Sequence, residues 1–285
     1  KEITAQKNKK ELKKIIIKSN TSKKQFKKNV SIAKKHIELG DIFQVVLSQR
    51  FEAKLQKKPL EIYKKIRKTN PSPFLYFINY DDFQIVGSSP EILVRVKDNK
   101  ITIRPIAGTR PRGKNKQKDN SLQKELLADP KEISEHLMLL DLGRNDVGKF
   151  SETGTVKVDS QFKIEKYSHV MHIVSNVTGT LKKNSSLIDV LMSGFPAGTV
   201  SGAPKIRAME IIDSLEKSKR KLYAGGIGYF SPKNNMDTCI ALRTAIVKNN
   251  KVYIQAGAGI VADSNPEKEY QETLNKAKAL IEASK

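Results

Sequence analysis

Between residues 74 and 105 the sequence offers four short strand candidates, 74–80, 83–87, 91–97 and 101–105, joined by tips only a few residues long. Tyr80-Asp81-Asp82 and Asp98-Asn99-Lys100 are built from turn formers. A parallel return needs a crossover of a dozen or more residues, so strands joined this tightly fold back antiparallel. The end of the chain repeats the pattern, with strands at 225–230, 237–247 and 251–260 before a helix from about 266 to 283. Further strands are expected at 42–51, 155–159, 162–166 and 170–180. Apolar spacing predicts helices at 22–39, 59–69, 122–142, 185–193 and 204–218. Residues 108–121 read as a polar, mobile loop, and Gly143, Gly148 and Gly154 as a second loop. Antiparallel runs with helices between them specify an α+β fold. No repeat and no internal linker is evident, so residues 1–20 are expected to be a basic N-terminal helical segment and 21–285 one folded unit.

Charge comes next, because 53 Lys and Arg against 30 Asp and Glu leave a net +23. Residues 1–35 alone hold 13 Lys and two Glu. Only 10 of the cations are Arg, the residue suited to bidentate phosphate contacts, and no helix-turn-helix, zinc-finger or RNP-like pattern is present. Lysine on solvated faces accounts for the charge, and no nucleic-acid partner is expected. No apolar run reaches the roughly 18 residues of a membrane span, so no membrane partner is expected either. The single cysteine, Cys239, excludes an internal disulfide and favours a reducing, cytoplasmic setting. The chain opens on Lys rather than Met and reads as a fragment or a processed product.

Two carboxylate pairs, Glu132 with Glu135 and Glu269 with Glu272, fall at helical i, i+3 spacing, which puts each pair on one face. Facing each other, they would form an oxygen-rich site for Mg²⁺. A solvated, salt-bridged face explains the same spacing, and Lys276, four residues after Glu272, fits it equally well. Among the four histidines, strand alternation turns His172 away from Met171 and Ile173. If those two face the core, His172 faces a cleft. Glycine-rich segments at 194–199, 225–228 and 257–259 can bring backbone amides to an anion or simply form turns.

Ten ordered motifs then resolve these alternatives: GDIFQVVLSQRF (40–51), NPSPFLYF (70–77), GSSPEILVRV (87–96), RPIAGTRPRG (104–113), KEISEHLMLLDLGRND (131–146), SHVMHIVS (168–175), FPAGTVSGAPKIRAMEII (195–212), GGIGYF (225–230), DTCIALRTA (237–245) and QAGAGIVADSNPEKEYQET (255–273). In this order they resemble the chorismate-using enzymes over about residues 20 to 285, most closely the anthranilate synthase large-subunit branch (component I). The resemblance implies two stacked antiparallel sheets with helices outside, an αββα sandwich, and an active site between the sheets. It implies a lyase that makes anthranilate and pyruvate from chorismate and ammonia with Mg²⁺, the first step from chorismate toward tryptophan. A separate glutamine amidotransferase subunit would deliver the ammonia. This chain would be the C-terminal catalytic portion.

Carried over residue by residue, the family pattern makes Glu135 and Glu272 the metal ligands, with Glu132 and Glu269 orienting bound water. It makes Tyr223, Arg243, Lys276 and Thr109 substrate contacts, with the backbone N–H groups near Ala258 and Gly259 assisting. His172, Glu132 and Thr199 become the catalytic groups, and Glu91 sits toward the nucleophile. Asn70, Pro73, Phe74 and Leu75 resemble the second half of a tryptophan feedback site; without the first half, tryptophan is not expected to bind well. Related isochorismate and salicylate synthases carry a Lys general base where Gln44 stands, and aminodeoxychorismate synthases, the alternative reading, carry a nucleophilic Lys where Ala107 stands. Neither Gln nor Ala can do that chemistry.

Overall fold

The computed structural model describes residues 16–167 and 170–285. The basic helical segment expected over residues 1–20 lies largely outside them. Where the described chain begins, Lys18–Ser19 is a short strand, β1, rather than helix. Helix α1 (Lys23–Glu38) is capped by Ser22, whose hydroxyl accepts the Gln25 amide at 3.1 Å, and buries Phe26, Val30 and Ala33. Next come β2 (Gln44–Lys54), α2 (Pro59–Thr69), β3 (Phe74–Asn79), β4 (Gln84–Ser89), β5 (Ile92–Lys97), β6 (Lys100–Ile103) and β7 (Ile106–Pro111). The β5–β6 tip holds Asp98 and Asn99 at φ 50° and 64°, the left-handed pair a two-residue hairpin turn requires. Helices α3 (Lys116–Ala128) and α4 (Pro130–Phe150) lead to β8 (Lys157–Lys166) and β9 (Val170–Thr180). Then follow α5 (Leu187–Gly194), β10 (Gly202–Ala203), α6 (Lys205–Leu215), β11 (Gly226–Ser231), β12 (Asn235–Ile240), β13 (Thr244–Lys248), β14 (Lys251–Ile260) and α7 (Pro266–Ser284).

Between residues 108 and 150 three local expectations differ from this structure. The polar stretch 108–121 is not a loop: its first residues are the end of β7 and its last the first turns of α3. There Arg112 and the Gly113 amide both bind Asp119, so polar residues satisfy one another rather than solvent. The helix expected at 122–142 is two helices broken at Asp129, which caps the second through the Lys131 amide at 3.1 Å. Gly143 and Gly148 lie inside α4, because Leu140 and Val147 are buried against the second sheet and packing overrides glycine's low helix propensity.

Two antiparallel sheets result. The first runs β1-β2-β14-β13-β4-β3, with β10 added on β2; the second runs β11-β12-β5-β6-β9-β7, with β8 on β9. Helices α2 and α7 cover the first sheet through a core that includes Phe51, Ile62, Ile66, Val86, Ile254 and Leu280. Helices α4 and α5 cover the second through Leu93, Val94, Val96, Leu140, Val147 and Val190. This is the α+β sandwich the motifs implied.

The strand expected at 237–247 is two strands, one in each sheet. The chain leaves β12 and enters β13 across Ala241-Leu242-Arg243, with Arg243 at φ 46°. Beside it, β4 leaves the first sheet and β5 enters the second across Pro90-Glu91. The Ser88 amide donates to the Arg243 carbonyl at 3.2 Å, and the Ile240 amide to the Glu91 carbonyl at 3.0 Å. A paired ribbon thus switches sheets as a unit.

Helices α4 and α6 are joined by Lys205, whose Nζ lies 2.9 Å from Asp146 Oδ2, the two side chains being 12% and 5% exposed. Without Lys205 the buried carboxylate keeps only the half-exposed Lys149, 3.2 Å from its Oδ1, as a partner. Lys205→Met should lower unfolding free energy by roughly 3 kcal/mol in urea titration. Adding Asp146→Asn should recover part of the loss, and no recovery would show that the helix contact, not the charge, was disturbed.

Candidate active site

A cavity of about 420 Å³ opens between the sheets, and residues from every layer line it. Its acidic wall comes from two helix N-termini built alike. Helix α4 starts Asp129-Pro130 and α7 starts Asn265-Pro266; each Asp or Asn side chain accepts two amides of the first turn, and each proline occupies the position that needs no amide. Glu132 and Glu135 follow on α4, Glu269 and Glu272 on α7, and all four line the cavity. The positive ends of both helices therefore sit beneath the carboxylates.

Burial acts against that dipole. It raises Glu135 above the ordinary carboxylate range, helped by the charge on Glu132 and opposed by the hydrogen bond from Gln44. Glu269 is also raised by burial, with Glu272 adding to the effect and Ser264 opposing it. Gln44 Nε2 donates to Glu135 Oε1 at 2.7 Å, while Gln44 Oε1 is buried with no partner among the described residues. Glu132 accepts Arg110 Nη1 at 3.0 Å, and Glu272 pairs with Lys276 at 2.7 Å. So the salt-bridged face and the face expected to meet a metal are the same surface. Among the described residues no three His, Cys, Asp or Glu converge into a closed metal cluster. The glutamates spread along the wall instead.

The opposite wall is cationic and aromatic. Arg243 lines it from the ribbon crossing, buried enough for its pKa to be lowered, and its guanidinium has no ion pair among the described residues. Tyr223 is also there, its phenol pushed up to about 12 by burial. Glu91 lies between the walls; burial raises it to about 7, with Thr199, Lys276 and Arg243 pulling it down. The Thr199 hydroxyl is buried beside Glu91 without a hydrogen bond of good geometry to it.

His172 lines the cavity while Met171 and Ile173 are fully buried, as strand alternation predicts. Its Nδ1 lies 3.2 Å from the Gly108 carbonyl and 2.9 Å from Thr109 Oγ1. A carbonyl only accepts, so Nδ1 carries the proton and Nε2 keeps a free lone pair. Burial lowers the ring's pKa, which keeps it neutral. Thr109, expected to touch substrate, thus lines the cavity with its hydroxyl against this histidine.

Among the expected cavity group only Ala258, expected to act through its backbone N–H, turns its side chain away from the wall. Its side chain is fully buried, because alternation along β14 turns it opposite Gly257 and Gly259, which do form the wall. Asn70, Pro73, Phe74 and Leu75 lie outside the cavity at the start of edge strand β3. The Asn70 carbonyl accepts Ser88 Oγ at 2.7 Å, and Leu75 pairs with Ser88. Lys131, Gln255, Ser264 and Arg110 escaped the sequence reading. Gln255 alone left a signal, as a polar residue inside the apolar strand VYIQAGAGI. Arg110 was hidden in the stretch read as loop.

Comparison with known proteins fits this geometry. The model of the chorismate binding enzyme family matches residues 2–282. The chain belongs to the chorismate binding enzyme family. It is 56% identical over 268 residues to anthranilate synthase component 1 of Cereibacter sphaeroides, which covers 94% of this chain and 54% of the relative. Against the Aquifex aeolicus protein of the same name the identity is 54% over 265 residues, 93% of this chain and 54% of the relative. The chain thus spans about half the length of these curated relatives. Anthranilate synthase component I from Streptococcus pneumoniae superposes with a TM-score of 0.88 at 48% identity, covering 93% of this chain and 59% of that one. The menaquinone-specific isochorismate synthase from Escherichia coli superposes at 0.86 with 25% identity, covering 95% and 63%.

Within this member of the chorismate binding enzyme family, Gly259 leaves room for the Gln44–Glu135 contact: a Cβ there would stand 2.7 Å from Gln44 Nε2. Gly259→Ala should leave the melting temperature within a few degrees yet weaken chorismate binding by about tenfold or more, read by calorimetry. Unaltered affinity would mean that Gln44 can move without consequence.

Proposed function

We propose that this chain is the catalytic portion of an anthranilate-forming lyase, converting chorismate and ammonia to anthranilate, pyruvate and water. The observation that carries the reading is the pairing, across one cavity, of four glutamates with an unpaired guanidinium. Chorismate carries two carboxylates, and the cavity offers a separate electrostatic partner for each. The glutamate wall fits Mg²⁺, which takes only one or two protein carboxylates and fills its shell with water and substrate oxygens. Two raised carboxylates and an orphaned Gln44 oxygen are groups that a bound cation and its waters would satisfy. Glu135 and Glu272 would hold the ion, with Glu132 and Glu269 orienting its waters. When bound, it neutralises the ring carboxylate and makes the ring a better electrophile.

Arg243 and Tyr223 grip the enolpyruvyl carboxylate, a planar guanidinium being suited to two parallel hydrogen bonds. Thr199, buried beside Glu91 on the cavity lining, would offer its hydroxyl to the substrate. Ammonia adds to the ring as Glu132 protonates the departing hydroxyl, which leaves as water. His172 Nε2 then removes the proton from the carbon that bears nitrogen. The released electron pair completes the aromatic ring and expels the enolpyruvyl group, which gains a proton to become pyruvate. Gln44 and Ala107 both line the cavity, and neither supplies the amine base or nucleophile that would divert the reaction to water addition or aminodeoxychorismate. A glutaminase subunit is the proposed source of ammonia and the reducing cytoplasm the proposed setting. Among the described residues no helix is long and apolar enough to cross a membrane.

His172→Met tests the division of labour. It should still consume chorismate with ammonium and Mg²⁺ but release an amino-cyclohexadiene that retains its enolpyruvyl group, seen by chromatography and mass. Normal anthranilate output would make His172 structural; untouched chorismate would move it to the first stage.

The raised carboxylates set a pH dependence. A carboxyl whose folded pKa is raised favours the fold while protonated, and that contribution is lost as pH climbs from the ordinary carboxylate range through the folded value. Glu135 and Glu269 are both of this kind. Added Mg²⁺ should therefore raise the melting temperature more at pH 8 than at pH 5. An equal shift at both values would remove these glutamates from the metal site.

A further inference from the structure

Four cavity-lining residues, Val46, Val200, Tyr223 and Gln255, come from separate segments, and one ion pair behind the wall reaches them all. Glu216 closes α6, and its Oε1 accepts the Ser48 amide at 2.7 Å, Ser48 Oγ at 2.9 Å and Arg220 Nη2 at 2.6 Å. Its Oε2 accepts Arg220 Nε at 3.0 Å. Arg220 then donates Nη1 to the Val200 carbonyl at 2.7 Å and Nη2 to the Val46 carbonyl at 2.6 Å. The guanidinium carbon stands 5.4 Å from the centre of the Tyr223 ring. Ser48 Oγ in turn accepts Gln255 Nε2 at 2.8 Å. The two charged side chains are only 15% and 8% exposed, and neither lines the cavity.

A buried ion pair is a poor way to gain stability, because desolvation offsets its attraction and well-packed apolar side chains serve as well. What this pair provides is direction. A planar fork fixed by a bidentate carboxylate aims its remaining donors at set positions, which a lysine cannot do. Those positions are the backbone of β2, the turn beside Thr199 and the ring of Tyr223.

We infer that Glu216 and Arg220 are positioning residues that set the anion-gripping wall, holding Tyr223 and the Thr199 turn in register with β2 and β14 for the substrate carboxylate. The inference rests on the proposed reading of the cavity as a chorismate site. It separates this wall from the glutamate wall, whose helices α4 and α7 the pair does not touch.

Arg220→Lys and Glu216→Gln test it in the intact chain. Both variants should melt cooperatively, bind Mg²⁺ alone as the wild type does, and bind chorismate with Mg²⁺ about tenfold or more weakly, since small misplacement of a clamp is costly. The loss should be smaller in a Tyr223→Phe background, where the hydroxyl being positioned is already gone. Unchanged chorismate affinity, or Mg²⁺ and chorismate binding weakened together, would overturn the inference. A ligand-free readout separates it from the parent reading. With ring-labelled tyrosine, the Tyr223 resonance, assigned by its loss in Tyr223→Phe, should shift in Arg220→Lys. If it shifts while the wild type binds no chorismate, the positioning role stands and the proposed function fails; if it does not shift, the inference fails.

Discussion

A strand pair that changes sheets is the constraint on which the rest depends. In the first sheet β4 and β13 are partners, with Gly87 opposite Thr244; in the second β5 and β12 are partners, with Ile92 opposite Cys239. Between them both chains cross the gap side by side, joined at Ser88–Arg243 and Ile240–Glu91. A crossing ribbon exposes its side chains to the space between the layers rather than to a core. Glu91 and Arg243, the only charged residues in the two crossings, are thereby delivered to the cavity. Arg243 reaches it at φ 46°, a conformation disfavoured for a residue with a Cβ, held here by strands fixed on both sides.

Opposite the crossing, two helix N-termini supply the other half of the field. Their dipoles favour carboxylates at the first turns, and burial disfavours them, so Glu135 and Glu269 are held above their ordinary range. Arg110 on Glu132 and Lys276 on Glu272 are the cations that partly balance the wall. The result is a cavity acidic on one side and cationic on the other, the field that the proposed dicarboxylate substrate and its cation would meet. That arrangement concerns electrostatics and belongs to the site, whereas the sheets around it would serve other chemistry equally well.

Much of this was legible beforehand, for physical reasons. Tight tips such as Asp98-Asn99 commit strands to antiparallel pairing locally, and the two carboxylate pairs follow directly from helical period. His172 was placed correctly because a strand has period two. The same rule, applied to β14, puts Gly257 on the wall and turns the Ala258 side chain away from it. What stayed hidden depended on long-range partners. Residues 108–121 looked like loop because their polar groups find each other, Arg112 with Asp119, only in the folded chain. Gly143 and Gly148 looked like a break because nothing local reports that the helix is pressed against a sheet. The split of 237–247 into two strands leaves no turn signal in the sequence, since the reason for it is a neighbouring ribbon 150 residues earlier. Glu216 and Arg220 read as ordinary i, i+4 charges for the same reason.

The account stands or falls on whether the two walls act on two different carboxylates. Calorimetric titration of Arg243→Gln with chorismate, in the presence of Mg²⁺, addresses that directly. If the guanidinium holds a carboxylate of its own, affinity should fall by roughly 2 kcal/mol or more, the scale of a lost charge-assisted hydrogen bond, while Mg²⁺ binding to the free protein is unchanged. Chorismate bound with wild-type affinity would contradict the account.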